Sequence, residues 1–234
     1  MNAQSKVKKA ATNTLPDGFA FAMPVADFLA AARFISTEET RYYLGGVRVE
    51  KHDDGALAVA TDGHRLGVQF APTAICEIEG IWLCPKHLKL DKRKGAPFQW
   101  IVGRITSDGK KGRLHLVHFR KPGKDTNQAE LAAEYVETGL DEMSWGGMLI
   151  HGTYPDWRKV LPQATKDDVV RGFNGDYLKT FGRALTLRGD SHSAPHLVLN
   201  GDDNFLGVAM PMRTELRPRD WMKSLSKGLF ATPA

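Results

Sequence analysis

The apolar positions of the N-terminal third alternate between two periods. Phe19-Ala-Phe-Ala-Met23 reads as a strand, and Pro24 is a residue suited to a helix's first turn. Val25, Phe28, Leu29, Ala32 and Ile35 then recur at helical spacing and predict an amphipathic helix, broken over Ser36 to Thr40. Tyr42 to Glu50 is strand-like, Asp53-Asp54-Gly55 is a turn, and Ala56 to Ala60 and Leu66 to Phe70 supply two more strands.

The same order recurs. Gly80 to Cys84 is strand-like, Pro85 opens a predicted short basic helix with Leu88 and Leu90, and Phe98–Ile105 and Arg113–Phe119 are strands around Ser107-Asp108-Gly109-Lys110. In a third pass Val169 to Phe173 is strand-like. A helix from Asp176 carries Leu178, Phe181 and Leu185 on one face, and Leu187, His196–Leu199 and Phe205–Ala209 supply strands. The chain thus reads as three copies of a β-α-β-β-β half-unit beginning near residues 19, 80 and 169, an α+β arrangement of antiparallel sheets with helices on one face. Residues 1–18 read as a flexible basic arm. Residues 19–162 read as one domain with an insertion at about 120–150, and 163–213 as a partial domain. Residues 214–234 form a tail with Trp221, Leu225, Leu229 and Phe230 among basic residues.

Composition narrows the class. No apolar run approaches the roughly 20 residues that span a bilayer, so no membrane partner is expected. The polar start lacks the apolar stretch of a secretory signal, and with two cysteines outside any C-x-x-C pair a reducing cytoplasmic location is expected. Lys plus Arg number 32 against 27 acidic residues, a net charge of +5 that suits a polyanionic partner. The basic residues crowd at Lys86, Lys89, Lys92, Arg93 and Lys94, and again at Lys110, Lys111 and Arg113.

Two blocks carry the most information: Arg41-Tyr-Tyr-Leu-Gly-Gly46 and Ala60-Thr-Asp-Gly-His-Arg-Leu66. Together they resemble the middle domain of the bacterial DNA polymerase III beta subunit, the sliding-clamp family. Met23-Pro-Val-Ala-Asp-Phe28, Tyr154-Pro-Asp-Trp-Arg-Lys-Val-Leu-Pro162 and Val208-Ala-Met-Pro-Met-Arg213 fall in matching order and resemble that domain's first helix, the connector to the last domain, and the final strand. The resemblance covers most of residues 19–213, in an abbreviated form that lacks a first domain and half of a last one.

The resemblance implies a DNA clamp fold and a groove that takes short hydrophobic peptides of partner proteins. The matching positions are Leu44, Thr61, Gly63, His64, Arg65, Leu66, Pro155, Lys159, Val160, Val208, Met210, Pro211 and Met212. Their chemistry suits peptide capture, because Met, Val, Leu and Pro make an adaptable apolar trough, with His64, Arg65 and Lys159 as polar rim. Val208, Met210 and Met212 also fit plain strand core. The resemblance further implies sequence-independent contact with double-stranded DNA, through Arg33 on the first helix, Lys86, Lys89 and Arg93 on the second, and Lys179 and Arg183 on the third. Arg41, Tyr42 and Tyr43 match a loop that touches DNA in the family.

Asp62 and His64 could form an acid–base pair, yet no nucleophile motif or phosphate loop accompanies them, and a turn-forming role for Asp62 fits better. The pairs His115/His118 and His192/His196 lack the spacing and company of metal ligands, so neither metal nor cofactor is expected. The function implied is that of a non-catalytic processivity factor, partnered by a DNA polymerase and a clamp loader. The alternative is a clamp-like adaptor or decoy that binds the same peptides without encircling DNA. A clamp ring holds twelve half-units, so chains of three half-units imply a homo-oligomeric ring of four, or of three if the insertion completes a second domain.

Overall fold

The computed structural model describes residues 15–92, 98–119, 126–161, 172–182, 185–189 and 194–212. Its elements, in chain order, are β1 (Phe19–Pro24), α1 (Val25–Ala32), β2 (Gly46–His52), β3 (Gly55–Thr61), β4 (Arg65–Ala71), β5 (Ile75–Cys76), β6 (Gly80–Leu83), β7 (Phe98–Ile105), β8 (Gly112–Phe119), α2 (Gln128–Glu137), β9 (Met143–Gly146), β10 (Leu149–Ile150), α3 (Gly175–Leu178), β11 (Thr186–Arg188), β12 (His196–Leu199) and β13 (Phe205–Ala209). They build two antiparallel sheets. Sheet A runs β5-β1-β7-β8-β9, and sheet B runs β10-β6-β2-β3-β4-β13-β12-β11. The expected α+β class is met.

The main core lies between the sheets. α1 lays Val25, Phe28 and Ala31 into it, against Phe21, Met23, Val47, Val49, Ala58, Trp82, Ile101 and Leu114. A bulge in β1, where two residues oppose one step of β7 between Phe19 and Phe21, turns both Ala20 and Phe21 inward. Phe19 and Ala22 consequently face the other side of sheet A.

That other side is covered by α2, the segment expected to be an insertion. Ala129, Ala132, Ala133 and Val136 recur every three to four residues and seal Trp100, Val102, Val117 and Phe119. The Asn127 side chain caps the helix by accepting from Ala129 N and Glu130 N. β9 and β10 then extend sheets A and B, so residues 126–150 are part of the framework.

Three local expectations are corrected. Residues 85–90 form a turn, with Leu88 N donating to Pro85 O, rather than a helix. Glu39–Leu44 is a 3₁₀ segment, so the strand expected from Tyr42 begins only at Gly46. The third helix stops early: α3 passes into one 3₁₀ turn, Lys179–Phe181, and Gly182 at φ +118° ends it.

The third unit joins the first through the last strand of each. β13 pairs with β4 from Phe205↔Gln69 to Ala209↔Arg65. Across that joint Phe34 meets Phe181 and Phe205 at centroid distances of 4.8 and 5.7 Å. Gly67 permits it: a Cβ there would lie 2.3 Å from the Phe34 ring.

Candidate binding groove

The joint between β4 and β13 carries a cleft. Its floor rests on a small core of Val59, Leu66, Val68, Trp157 and Val208. The chain leaves β3 at Thr61 and returns at Arg65 through a tight turn. The Asp62 carboxylate organises that turn, accepting from His64 N at 2.9 Å and Arg65 N at 3.0 Å through one oxygen and from Arg65 Nε at 2.8 Å through the other. Thr61 Oγ1 donates to Arg65 O and accepts from Gly63 N. Gly63 sits at φ +91°, a conformation that favours glycine. The turn-forming reading of Asp62 is what the geometry shows, and the carboxylate that an acid–base role would need is spent on it.

A second wall comes from the segment after β10. Residues Trp157–Val160 make a 3₁₀ turn that brings Trp157 over sheet B. Trp157 Nε1 donates to both carboxylate oxygens of Glu50, at 3.3 and 3.4 Å, and Arg158 adds an ion pair to the same group at 2.9 Å. Arg158 also stacks over the Trp157 ring, 4.2 Å from its centroid. Glu50 is only 8% exposed, so this carboxylate is a buried anchor for the whole segment. Tyr154 packs into the same core, and burial pushes its phenol well above the usual tyrosine range.

The cleft encloses about 150 Å³. Ten of the thirteen residues assigned from the sequence line it: Leu44, Thr61, Gly63, His64, Arg65, Leu66, Pro155, Val160, Val208 and Met210. Met210 is tied in through its backbone N–H to His64 O at 2.9 Å. Lys159, Pro211 and Met212 do not line it. Lys159 points outward and pairs with Asp156, while Met212 N donates to Gly172 O one step beyond the cleft. Asp156 and Trp157 do line it and were not assigned from the sequence. The signal was present, since an aromatic two residues after Pro155 is a natural wall.

The rim is aromatic and cationic. His64 stacks on Tyr177 of α3 at 5.7 Å, and the Arg65 guanidinium lies over the rings of Tyr177 and Phe34 at 5.2 and 5.7 Å. Both neighbours come from other elements, so the first unit's rim is fixed partly by the third unit.

The residues assigned to DNA are spread over several surfaces. Arg33 caps α1 and is exposed. Arg41 pairs with Glu38 at 3.2 Å, Tyr42 is exposed, and Tyr43 stands edge-on to it at 5.7 Å, all on the 3₁₀ segment that ends in Leu44. Lys86 and Lys89 are exposed, on a turn instead of the helix expected for them. Lys179 pairs with Asp176 at 2.7 Å. Because the helix has ended by Gly182, the i,i+4 spacing expected of Lys179 and Arg183 does not arise from a continuous helix. Arg93 and Arg183 lie outside the described residues. His115 and His118 pair separately, with Asp141 at 3.0 Å and Glu142 at 2.8 Å. Among the described residues no group of three or more His, Cys, Asp or Glu is placed to hold a metal ion.

A family model described as the DNA polymerase III beta subunit, central domain, matches residues 27–81. These residues run from α1 through the Asp62 turn to the start of β6, the part of the fold that builds one wall of the cleft. Over that stretch the chain is similar to the sliding-clamp family. The beta sliding clamp of Escherichia coli is 24% identical over 185 residues, covering 77% of this chain and 43% of that protein. The beta sliding clamp of Haemophilus influenzae is 28% identical over 167 residues, covering 70% and 38%. The chain therefore spans less than half the length of these sliding-clamp relatives. Among solved structures, the DNA polymerase sliding clamp of Bacillus subtilis aligns with a TM-score of 0.55 at 16% identity over 86% of this chain and 66% of that one. A sliding clamp from Bartonella birtlesii, solved bound to griselimycin, aligns with a TM-score of 0.53 at 19% identity over 86% and 68%. The clamp fold thus holds for most of the chain.

Proposed function

We propose that this chain is a non-catalytic processivity factor, which holds DNA without sequence preference and tethers a DNA polymerase, a clamp loader or repair proteins through short hydrophobic peptides. The observation that carries this reading is the cleft at the β4–β13 joint. It combines an apolar floor, a deformable methionine at its edge and a basic, aromatic rim, and one of its walls, Leu44 with the Thr61–Leu66 turn, falls in the stretch that the family model matches.

Such a cleft selects a segment with one or two large apolar anchors, and a few anchors can dominate a small interface. Met210 is 37% exposed, so its replacement is expected to leave the fold intact. A fluorescent peptide carrying adjacent leucine and phenylalanine is expected to bind the wild-type chain, and Met210→Asp is expected to raise its Kd at least tenfold. Equal affinity for both proteins would sink the groove assignment.

The DNA role rests on Arg33, Arg41, Lys86 and Lys89, which are cationic and read no sequence. Encirclement needs more than one copy. β11 ends sheet B with no neighbour beyond it among the described residues. In the first domain the equivalent strands do have one: β7 pairs with β1, and β2 pairs with β6. A second copy's third unit, brought up across a two-fold axis, supplies the missing half and completes a domain.

A further inference from the structure

A second cavity lies at the joint between the first and third units, where α1 packs on β4. It encloses about 230 Å³ and shares no lining residue with the cleft. Three elements bring polar groups to it: α1 brings Asp27, β4 brings Gln69, and the loop between β12 and β13 brings Asp202.

Gln69 is the buried member, at 3% exposure. Its Nε2 donates to Asp27 Oδ1 and to Phe70 O, both at 3.2 Å. Those two bonds fix the orientation of the amide, because the flipped form would set oxygen against oxygen at both places. The amide oxygen, Oε1, is buried and has no hydrogen-bond partner among the described residues. A buried acceptor without a donor is a mark of a place where water or an ion binds. The two carboxylates reach the cavity from different units, Asp27 from the first and Asp202 from the third. Each spends one oxygen inside the protein, Asp27 Oδ1 on Gln69 and Asp202 Oδ1 on Asn204 N at 2.9 Å. Their charges oppose each other. Arg33 also lines the cavity, but it is exposed and pairs with neither carboxylate among the described residues.

Two carboxylates and an amide oxygen are hard ligands, suited to Ca²⁺ or Mg²⁺ and not to a metal that seeks thiolate or imidazole. We propose that this cavity binds one such divalent cation through Asp27, Asp202 and Gln69 Oε1, and that the ion ties the first unit to the third behind the β4–β13 joint. Only two of the protein ligands are acids, and water completes the shell. The cavity has room for several molecules at roughly 30 Å³ each. With so few protein ligands the site is weak, with a Kd on the order of 10⁻⁴–10⁻³ M. The cation offsets the repulsion between the two units, so its binding stabilises the fold.

The test is isothermal titration calorimetry of chelator-treated protein with CaCl₂ and, separately, MgCl₂, at about pH 8, where Asp27 is ionised, together with melting temperatures with and without each salt. The wild type is expected to take up one ion per chain and to melt higher with it, and the salt that binds more tightly names the ion. Asp27→Asn and Asp202→Asn are each expected to raise the Kd at least tenfold and to abolish the shift. Both variants keep a side-chain oxygen to accept from Gln69 and from Asn204, so without the ion they are expected to melt no lower than the wild type. Asp53→Asn, in the exposed turn between β2 and β3, is expected to bind as the wild type does. No heat and no shift up to about 10 mM of either salt, well above the expected range, overturns the proposal. A shift of equal size in all four proteins overturns it too, since the salt then acts by general screening. Binding that survives either Asp27→Asn or Asp202→Asn contradicts the bridge between the units.

Discussion

At the scale of single residues, two carboxylates hold the groove and a third titrates. Asp62 accepts three hydrogen bonds from the turn it starts. Asp62→Ala is expected to cost about 1–3 kcal/mol of stability, the usual penalty for stranding such donors, and to weaken peptide binding with it. Thermal melts and anisotropy check the two together. Asp27, on α1, has its carboxyl pushed up to about 6, first by burial and then by the charge of Asp202, with a hydrogen bond from Gln69 opposing. A raised carboxylate pKa means that the folded state binds its proton more tightly than the unfolded chain. Stability is then greatest below the unfolded value near 4 and falls as pH rises through about 6. The melting temperature of Asp27→Asn minus that of wild type is expected to grow from pH 4 to pH 6 and to level off above; a difference that stays flat contradicts it. The Asp62 turn was legible in the sequence because its partners lie within three residues. The Glu50 anchor was not, because Glu50 and Trp157 stand 107 positions apart and only the fold joins them.

At the scale of elements, the strands follow from alternating apolar positions, and their predicted limits fall within a few residues of those seen. Pro85, Leu88 and Leu90 mimic a helix start, yet in so short a segment only Pro85 and Leu88 are buried while Lys86, Lys89 and Leu90 are exposed, too little to meet the cost of nucleation. α2 announced itself within the segment read as an insertion: Asn127 caps its first turn and donates its side-chain amide to Glu130, and alanines mark one face. The joint between α1, β4 and the third unit depends on the bare backbone of Gly67 beneath Phe34. Gly67→Ala is expected to cost about 1–3 kcal/mol through overpacking, and to loosen peptide binding because it displaces β4 against β13. Denaturant unfolding with a parallel binding titration reads both, and a variant as stable as wild type would contradict this account of the joint. Glu50→Ala is expected to free the Trp157 wall and to lower peptide affinity more than Lys159→Ala, whose side chain lies outside the cleft.

At the scale of the whole molecule, the three-fold repeat was readable from residue order, and so was the resemblance that placed the groove between the first and third units. Which strands meet was not readable, since any antiparallel partner satisfies the same alternating pattern. The pairing of β4 with β13 supplies that information and, among the described residues, leaves β9 at one end of sheet A and β11 at one end of sheet B. Those edges connect the single chain to the central claim, which is that copies of it enclose DNA and slide while their grooves hold partner proteins. Retention on DNA that is first circular and then cut tests this claim most directly. The account predicts that protein loaded on a closed circle stays through a moderate salt wash and is lost when a restriction enzyme opens the circle. Equal retention before and after linearisation, or none on either form, would contradict enclosure and leave a groove-bearing adaptor in its place.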